Sequence, residues 1–246
     1  MTLSVQRLGV SYGRHRIITD LDLTFDAGQV VGILGPNGSG KSTFIRAVAG
    51  VQPCTGEVSV AGKTGTAARD LLGYMPQEVP AQVALTVLES VLVALRTGRI
   101  GRVGRTGERR ALAVLDALDI GHLCDAWLGE CSGGQRQLVS LAQTLVREPT
   151  VLLLDEPTSA LDLRHQRTVF DAVRHHVDTV SDGLALVAVH DLNLAARHCD
   201  SFVLLRDGEL HAQGSPEEIL QPGVLDEVYD VPTTVTSIDG QRIVTV

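Results

Sequence analysis

The chain has 246 residues, of which 44% are hydrophobic and 20% charged, and this length is enough to bury a full core. Aromatic residues make up 3% and the formal net charge is −8, which argues against base-stacking platforms and a broad nucleic-acid surface. No apolar run approaches the roughly 20 residues that cross a bilayer, and the first residues lack the pattern of a secretory signal. We expect Cys54, Cys124, Cys131 and Cys199 to be free thiols in a reducing cytosol, since their spacing matches no metal site.

The predicted strands change character along the first third of the chain. Residues 3–10 and 21–25 alternate apolar and polar side chains, which predicts half-buried strands. The continuous apolar run at residues 30–34 predicts a strand buried on both faces. A helix ending near Gly50 and a hairpin at residues 55–62 are expected next, before a strand at residues 72–75.

From about residue 78 to residue 147 the chain reads as almost entirely helical. A capping box at Thr86 and Glu89 opens one helix, residues 108–118 form a second, and a third begins after Gly134. The Gly- and Arg-rich residues 97–107 predict a mobile loop between the first two. The adjacent His175 and His176 match no metal-ligand spacing and are expected at solvated helix positions.

Buried strands return at residues 151–154 and 184–189, separated by a helix at residues 163–180. Turns at Asp207 and Asp239 and a capped helix at Ser215 complete the pattern. Strand–helix alternation around a helical insertion predicts an α/β sheet with a helical subdomain. We expect one domain over residues 1–246, with the helical subdomain at about 78–147 and a short tail at about 222–246.

A glycine-rich loop follows the strand at residues 30–34 and opens a helix, the context that validates a P-loop. Its backbone N–H groups are expected to cradle phosphate oxygens, with Lys41 reaching the β- and γ-phosphates and Ser42 holding Mg²⁺. The predicted phosphate-binding residues are Gly35, Pro36, Asn37, Gly38, Ser39, Gly40, Lys41, Ser42 and Thr43.

The strand at residues 151–154 ends in two carboxylates, Asp155 and Glu156. Open α/β sheets bind ligands at the carboxyl ends of their strands. Asp155 is the natural partner of Mg²⁺, and Glu156 can polarise the attacking water as a general base.

The stretch from Cys131 through Ser132, Gly133, Gly134 and Gln135 resembles the signature sequence of ABC ATPases, usually written LSGGQ. Other motifs of that family occur in the expected order over roughly residues 3–220. The resemblance implies a P-loop NTPase (ABC ATPase) core with an antiparallel β subdomain and an inserted helical subdomain, and binding of ATP and Mg²⁺. It assigns adenine stacking to Tyr12, a Q-loop role near the γ-phosphate and Mg²⁺ to Gln77, a D-loop position to Asp162 and the switch role to His190.

In that family the signature of one chain meets the ATP held by another, so the resemblance implies a dimer, most simply a homodimer. It also implies polytopic membrane permease subunits, indirect work with an extracytoplasmic solute-binding protein, no nucleic-acid partner and a peripheral position at the cytoplasmic face of the membrane. Cys131 departs from the usual leucine, and we expect a packing change there, with a redox role as the alternative.

Residues 160–166 and 190–195 look most like the ATPases of importers for iron–siderophore complexes, haem and cobalamin. An ATPase for zinc, manganese or another small solute stays open, as does a soluble ABC ATPase without a membrane partner. The apolar residues Leu88, Val91, Leu92 and Leu95 are expected to pack their helix on its neighbours. For residues 79–85, including Val83 and Leu85, packing and docking of a coupling helix from the membrane subunit both stay open.

Overall fold

The computed structural model describes residues 2–77, 84–96 and 104–246. Among these, no helix combines the length and the apolar character that crossing a bilayer requires. The strands are β1 (Leu3–Tyr12), β2 (His15–Phe25), β3 (Gln29–Leu34), β4 (Thr55–Val60), β5 (Lys63–Thr64), β6 (Leu72–Met75), β7 (Val151–Asp155), β8 (Leu184–Ala188), β9 (Ser201–Arg206), β10 (Glu209–Gly214), β11 (Thr234–Ile238) and β12 (Gln241–Thr245). The α-helices are α1 (Lys41–Val48), α2 (Gly65–Arg69), α3 (Val87–Arg96), α4 (Arg105–Ala117), α5 (Gly133–Leu145), α6 (Leu163–Thr179), α7 (Leu192–His198), α8 (Pro216–Ile219) and α9 (Pro222–Tyr229).

The central sheet has the strand order β10-β9-β3-β8-β7-β6, in which only β10 is antiparallel to its neighbour. Its middle strands are buried on both faces, as their continuous apolar runs predict. In β7, for example, Leu152 and Leu154 face the core that includes α5 and α6, while Val151 and Leu153 face α1 and the second sheet. This confirms the predicted α/β fold class.

The second sheet is antiparallel, with the order β2-β1-β4-β5. Alternation in β2 buries Leu21, Leu23 and Phe25, as predicted. The hairpin predicted at residues 55–62 is only partly right, because β4 pairs mainly with the distant β1 and only its end pairs with the two-residue β5. Periodicity within a segment does not identify a partner strand 50 residues away.

The described part of the helical segment contains α3, α4 and α5. The capping box that opens α3 is present, with Thr86 N donating to Glu89 Oε2 at 2.9 Å and Glu89 N to Thr86 Oγ1 at 3.2 Å. Residues 97–103 of the predicted loop lie outside the described residues. Residues 105–107 were wrongly predicted as loop, because α4 begins at Arg105 and is stabilised by burial of Ala111 and Leu115 farther along it.

The last residues pack back onto the core. In α7, Asn193 donates from Nδ2 to Val244 O at 3.0 Å and accepts at Oδ1 from Val244 N at 2.7 Å, which fixes the β11–β12 hairpin. At the end of α9, the half-buried Tyr229 accepts a hydrogen bond at its hydroxyl from Gly35 N at 3.1 Å. The C-terminal residues therefore touch both α7, which follows His190, and the glycine-rich loop.

Candidate functional site

The strand order brings four predicted site segments to one edge of the central sheet. The strands β3, β8, β7 and β6 are parallel neighbours in that order, so their carboxyl ends lie side by side. The glycine-rich loop follows β3, His190 follows β8, Glu156 follows β7 and Gln77 follows β6. This is the edge at which open α/β sheets bind ligands.

The glycine-rich loop needs glycine at its two ends. Gly35 has a φ of +142°, and a Cβ there would lie 2.2 Å from the carbonyl oxygen of Leu205. Gly40 has a φ of +101° and forms the N-cap of α1. The first N–H groups of an α-helix have no partner inside the helix, so this loop and helix start offer donors suited to an anion.

Lys41 is buried, with 4% of its surface exposed, and its ammonium group lies across the loop. Nζ donates to the carbonyl oxygens of Gly35 at 2.7 Å and of Pro36 at 3.0 Å. Burial lowers its pKa, while the charges of Glu156 and Asp155 oppose that effect. A fixed positive charge therefore lies beneath the loop, in a chain whose net charge is negative.

Asp155 is fully buried at the end of β7. Its Oδ1 accepts from Ser42 Oγ at 2.6 Å, whereas Oδ2 makes no hydrogen bond within the described residues and has Arg46 Nη2 at 3.4 Å. Burial raises the pKa of Asp155, against the lowering effects of Ser42 and Arg46. A buried carboxylate oxygen without a hydrogen bond, next to a serine hydroxyl, fits the oxygen ligands that Mg²⁺ prefers.

Glu156 is nearly buried and is held from both sides. Gln77 Nε2 donates to its Oε2 at 2.8 Å, and His190 Nε2 makes a short hydrogen bond with its Oε1. The φ of Glu156 is +54°, which is uncommon for a residue other than glycine. The predicted general base Glu156 thus meets the predicted Q-loop residue Gln77 and the predicted switch residue His190 in one cluster.

A cleft of about 300 Å³ joins the glycine-rich loop to this cluster. The exposed Tyr12 stands at its wall, with its hydroxyl donating to Gln52 Oε1 at 2.9 Å. Sequence reasoning missed Ile17, because an apolar residue in a strand reads as core. The lining residues are Tyr12, Ile17, Asn37, Gly38, Gly40, Lys41, Ser42, Thr43, Glu156 and His190.

Three signature residues, Ser132, Gly134 and Gln135, line a different cleft, of about 730 Å³. Ser132 and Gln135 form a reciprocal capping box at the start of α5, with Ser132 N donating to Gln135 Oε1 at 2.8 Å. Asp162 caps α6 by accepting from His165 N at 2.9 Å, and this contact lowers the pKa of Asp162. The predicted ligands Ser132, Gly134, Gln135 and Asp162 therefore lie together but away from the glycine-rich loop.

Two side chains near these elements are buried. Cys131 is 5% exposed, lies in the main hydrophobic core and has its pKa raised by burial, which supports the predicted packing role. The prediction that His175 and His176 are both solvated is wrong for His176, which is 6% exposed with Nε2 2.9 Å from Pro149 O. Adjacent residues of a helix point in different directions, so one histidine of the pair can face solvent while the other is buried.

Comparisons with known proteins agree on one family. The profile of the ABC transporter family matches residues 18–159. The chain is similar to the hemin import ATP-binding protein HmuV of Pseudomonas entomophila, with 38% identity over 95% of this chain and 94% of that protein.

A second relative is the cobalamin import ATP-binding protein BtuD of Halobacterium salinarum, with 36% identity over 100% of this chain. The match covers 63% of that protein. Among solved structures, a transporter described as of the metal-chelate type, in an inward-facing conformation, superposes with a TM-score of 0.82 at 26% identity. That superposition covers 99% of this chain and 95% of the other.

Proposed function

We propose that this chain, which belongs to the ABC transporter family and is one of its ATPases, powers the import of an iron–siderophore complex or a related metal chelate. The relatives are named for hemin and cobalamin import, and the solved neighbour for metal chelates, so their cargoes share one chemical class. An ATPase for zinc, manganese or another small solute is the second candidate, and a soluble ATPase without a membrane partner the third.

The observation that carries the ATPase mechanism is the Glu156 carboxylate held between Gln77 and His190 at the cleft. We infer that Glu156 accepts a proton from the attacking water as general base. His190 orients this carboxylate, and its exposed side chain can reach the γ-phosphate. Gln77 places a second hydrogen bond on the carboxylate and connects the site to the chain that leads into the helical segment.

ATP would occupy the cleft with its phosphates on the loop that carries Lys41 and its adenine against Tyr12. Residues 35–43 supply the N–H donors of that loop. Mg²⁺ would be held by Ser42, Asp155 and Gln77, and when bound it neutralises charge on the β- and γ-phosphates. Asp155 meets the requirement for a metal ligand through its Oδ2, which makes no hydrogen bond within the described residues.

The separation of the two clefts supports a dimer. Ser132, Gly133 and Gly134 begin a 13-residue helix and resemble a second anion cradle, yet Ser132 and Gly134 line a cleft apart from the glycine-rich loop. The two clefts have no lining residue in common. We infer that a second copy supplies the signature, that Asp162 and Gln135 lie at this contact, and that permease subunits hold the dimer at the cytoplasmic face of the membrane.

The test of the mechanism is Glu156→Gln. Glutamine has the same shape and can keep one hydrogen bond to Gln77 and one to His190, so the fold should survive. Loss of the general base should lower the hydrolysis rate by ~10²–10⁴ while ATP still binds. Size-exclusion chromatography with light scattering should then show a dimer with ATP and a monomer without it.

The matched control is Glu57→Gln on the exposed part of β4, which makes the same chemical change away from the cleft. Hydrolysis by the Glu156 variant at the rate of this control would remove Glu156 from the role. For the cargo, the neighbouring reading frames should encode a polytopic membrane protein and a binding protein whose purified form binds a metal chelate. A binding protein that takes only free Zn²⁺ or Mn²⁺ would support the second candidate instead.

A further inference from the structure

Gln137 lies in α5, two residues beyond the signature residue Gln135, and only 4% of it is exposed. Its side-chain amide bonds to a different part of the chain. Nε2 donates to the carbonyl oxygen of Glu156 at 2.8 Å and to Ser159 Oγ at 3.2 Å. Oε1 accepts from Ala160 N at 3.2 Å. Since Glu156 O can only accept and Ala160 N–H can only donate, these partners also fix which way the amide faces.

The segment that Gln137 holds includes an unusual backbone conformation. Glu156 adopts a positive φ of +54°, and its carbonyl also accepts from Ser159 Oγ at 3.3 Å and from Ser159 N at 3.4 Å. Of these three hydrogen bonds to the carbonyl oxygen of Glu156, the one from Gln137 is the shortest. A sparsely populated backbone conformation persists where its surroundings over-determine it, and Gln137 supplies part of that constraint from α5.

The start of α5 also packs directly on the same segment. A Cβ added at Gly134 would lie 2.9 Å from the carbonyl oxygen of Ala160 and 3.1 Å from Leu161 Cδ2. The first turns of α5 thus contact residues 156–161 at two positions, Gly134 and Gln137. Any displacement of the signature turn would be passed to this segment through backbone contact and through the buried amide.

We propose that Gln137 is a positioning residue that couples the signature turn of α5 to the Glu156 carboxylate of the same chain. The proposal rests on the function proposed above, in which the signature turn contacts the ATP of the second copy while Glu156 acts on the ATP of its own chain. Gln137 then links the two ATP sites of the dimer within each chain. When a nucleotide contacts the signature turn of one chain, Gln137 passes that contact to the Glu156 carboxylate of the same chain, which acts at the other ATP site.

The experiment compares Gln137→Met with Gln166→Met in the full-length protein. Methionine keeps the length of glutamine but has no amide. Gln166 is a matched control, because it donates from Nε2 to Leu161 O at 3.2 Å and makes no hydrogen bond with Glu156 among the described residues. The measurements are the affinity for a fluorescent ATP analogue, kcat, the Hill coefficient for ATP, and thermal unfolding.

We expect Q137M to bind nucleotide within about twofold of wild type, because no atom of Gln137 lines the ATP cleft. Its kcat should fall about 10- to 100-fold, the usual effect of misplacing a reacting group by about 1 Å. The Hill coefficient should fall from above one towards one, since it reports coupling between the two sites. Q166M should keep both values.

Wild-type kcat and Hill coefficient in Q137M would overturn the proposal, and so would equal losses in Q137M and Q166M. If Q137M fails to fold, Gln137→Asn decides by the same criteria, since it keeps a polar amide but is one methylene shorter, which moves the amide donor away from the carbonyl oxygen of Glu156. A wild-type protein without ATPase activity, or an E156Q protein without an ATP-dependent dimer, would contradict the function proposed above. Wild-type cooperativity that persists in Q137M would contradict only the role of Gln137.

Discussion

The two adjacent glycines that begin α5 predict different effects of the same substitution. A Cβ at Gly134 would lie 2.9 Å from the backbone oxygen of Ala160, closer than real Cβ contacts come. A Cβ at Gly133 would meet nothing within 4 Å, and the residue has no positive φ that would require glycine. Packing within the chain therefore explains glycine at 134 and leaves glycine at 133 without an intramolecular reason.

The expected magnitudes follow from these contacts. Ala160 cannot retreat easily, because Gln137 holds its N–H, so Gly134→Ala should destabilise the fold by about 1–3 kcal/mol, the usual cost of overpacking. Gly133→Ala should leave the free energy of unfolding unchanged or raise it by up to about 1 kcal/mol, since alanine favours a helix. If the open face at Gly133 receives the phosphates of the second copy's ATP, its methyl group blocks close backbone approach. ATPase activity should then fall by at least about tenfold, or ~1.4 kcal/mol.

The assay is urea unfolding of each purified variant together with its ATPase rate at saturating ATP. The predicted pattern is a stable but inactive Gly133 variant and a destabilised Gly134 variant. A Gly133→Ala protein with full activity would show that nothing approaches this face during hydrolysis. Equal destabilisation of the two variants would refute the packing argument itself.

Three further predictions test the loop, its support and the docking surface. Lys41→Ala should lower ATP affinity roughly 10- to 100-fold, because a charge-assisted hydrogen bond contributes roughly 1.5–3 kcal/mol. The same change at the exposed Lys63 should leave the affinity unchanged. Equal losses of equilibrium binding in the two variants would mean that the loop is misassigned. Tyr229→Phe removes the acceptor of the Gly35 N–H and should lower the free energy of unfolding by roughly 1–3 kcal/mol in urea titrations. A variant as stable as wild type would show that water replaces the hydroxyl. Leu85→Glu places a charge on a half-buried residue and should spare the ATPase rate of the isolated subunit but abolish transport by the assembled complex; unchanged transport would rule out docking at this residue. The companion position Val83 lies outside the described residues.

The features that could be predicted from the sequence are those whose partners lie within a few residues of each other. The capping box of Thr86 and Glu89 was recognised because it needs only four residues in order. The glycine-rich loop is equally local, since one strand, one turn and one helix start contain all its donors. The buried strands were found from their own apolar runs, because burial on both faces leaves no polar alternation. Family resemblance then assigned roles to residues such as Gln77 and His190, whose surroundings in sequence carry little chemistry.

Tertiary structure alone decided how those pieces meet. The strand order inserts β8 between β3 and β7 and places β6 on the other side of β7, so Glu156 comes to lie between His190 and Gln77. No periodicity encodes that order, because it depends on which helices cover which face of the sheet. For the same reason no pattern in the sequence marks Gln137. Its partners lie 19 to 23 residues away, and only the packing of α5 against the end of β7 brings them within hydrogen-bonding distance.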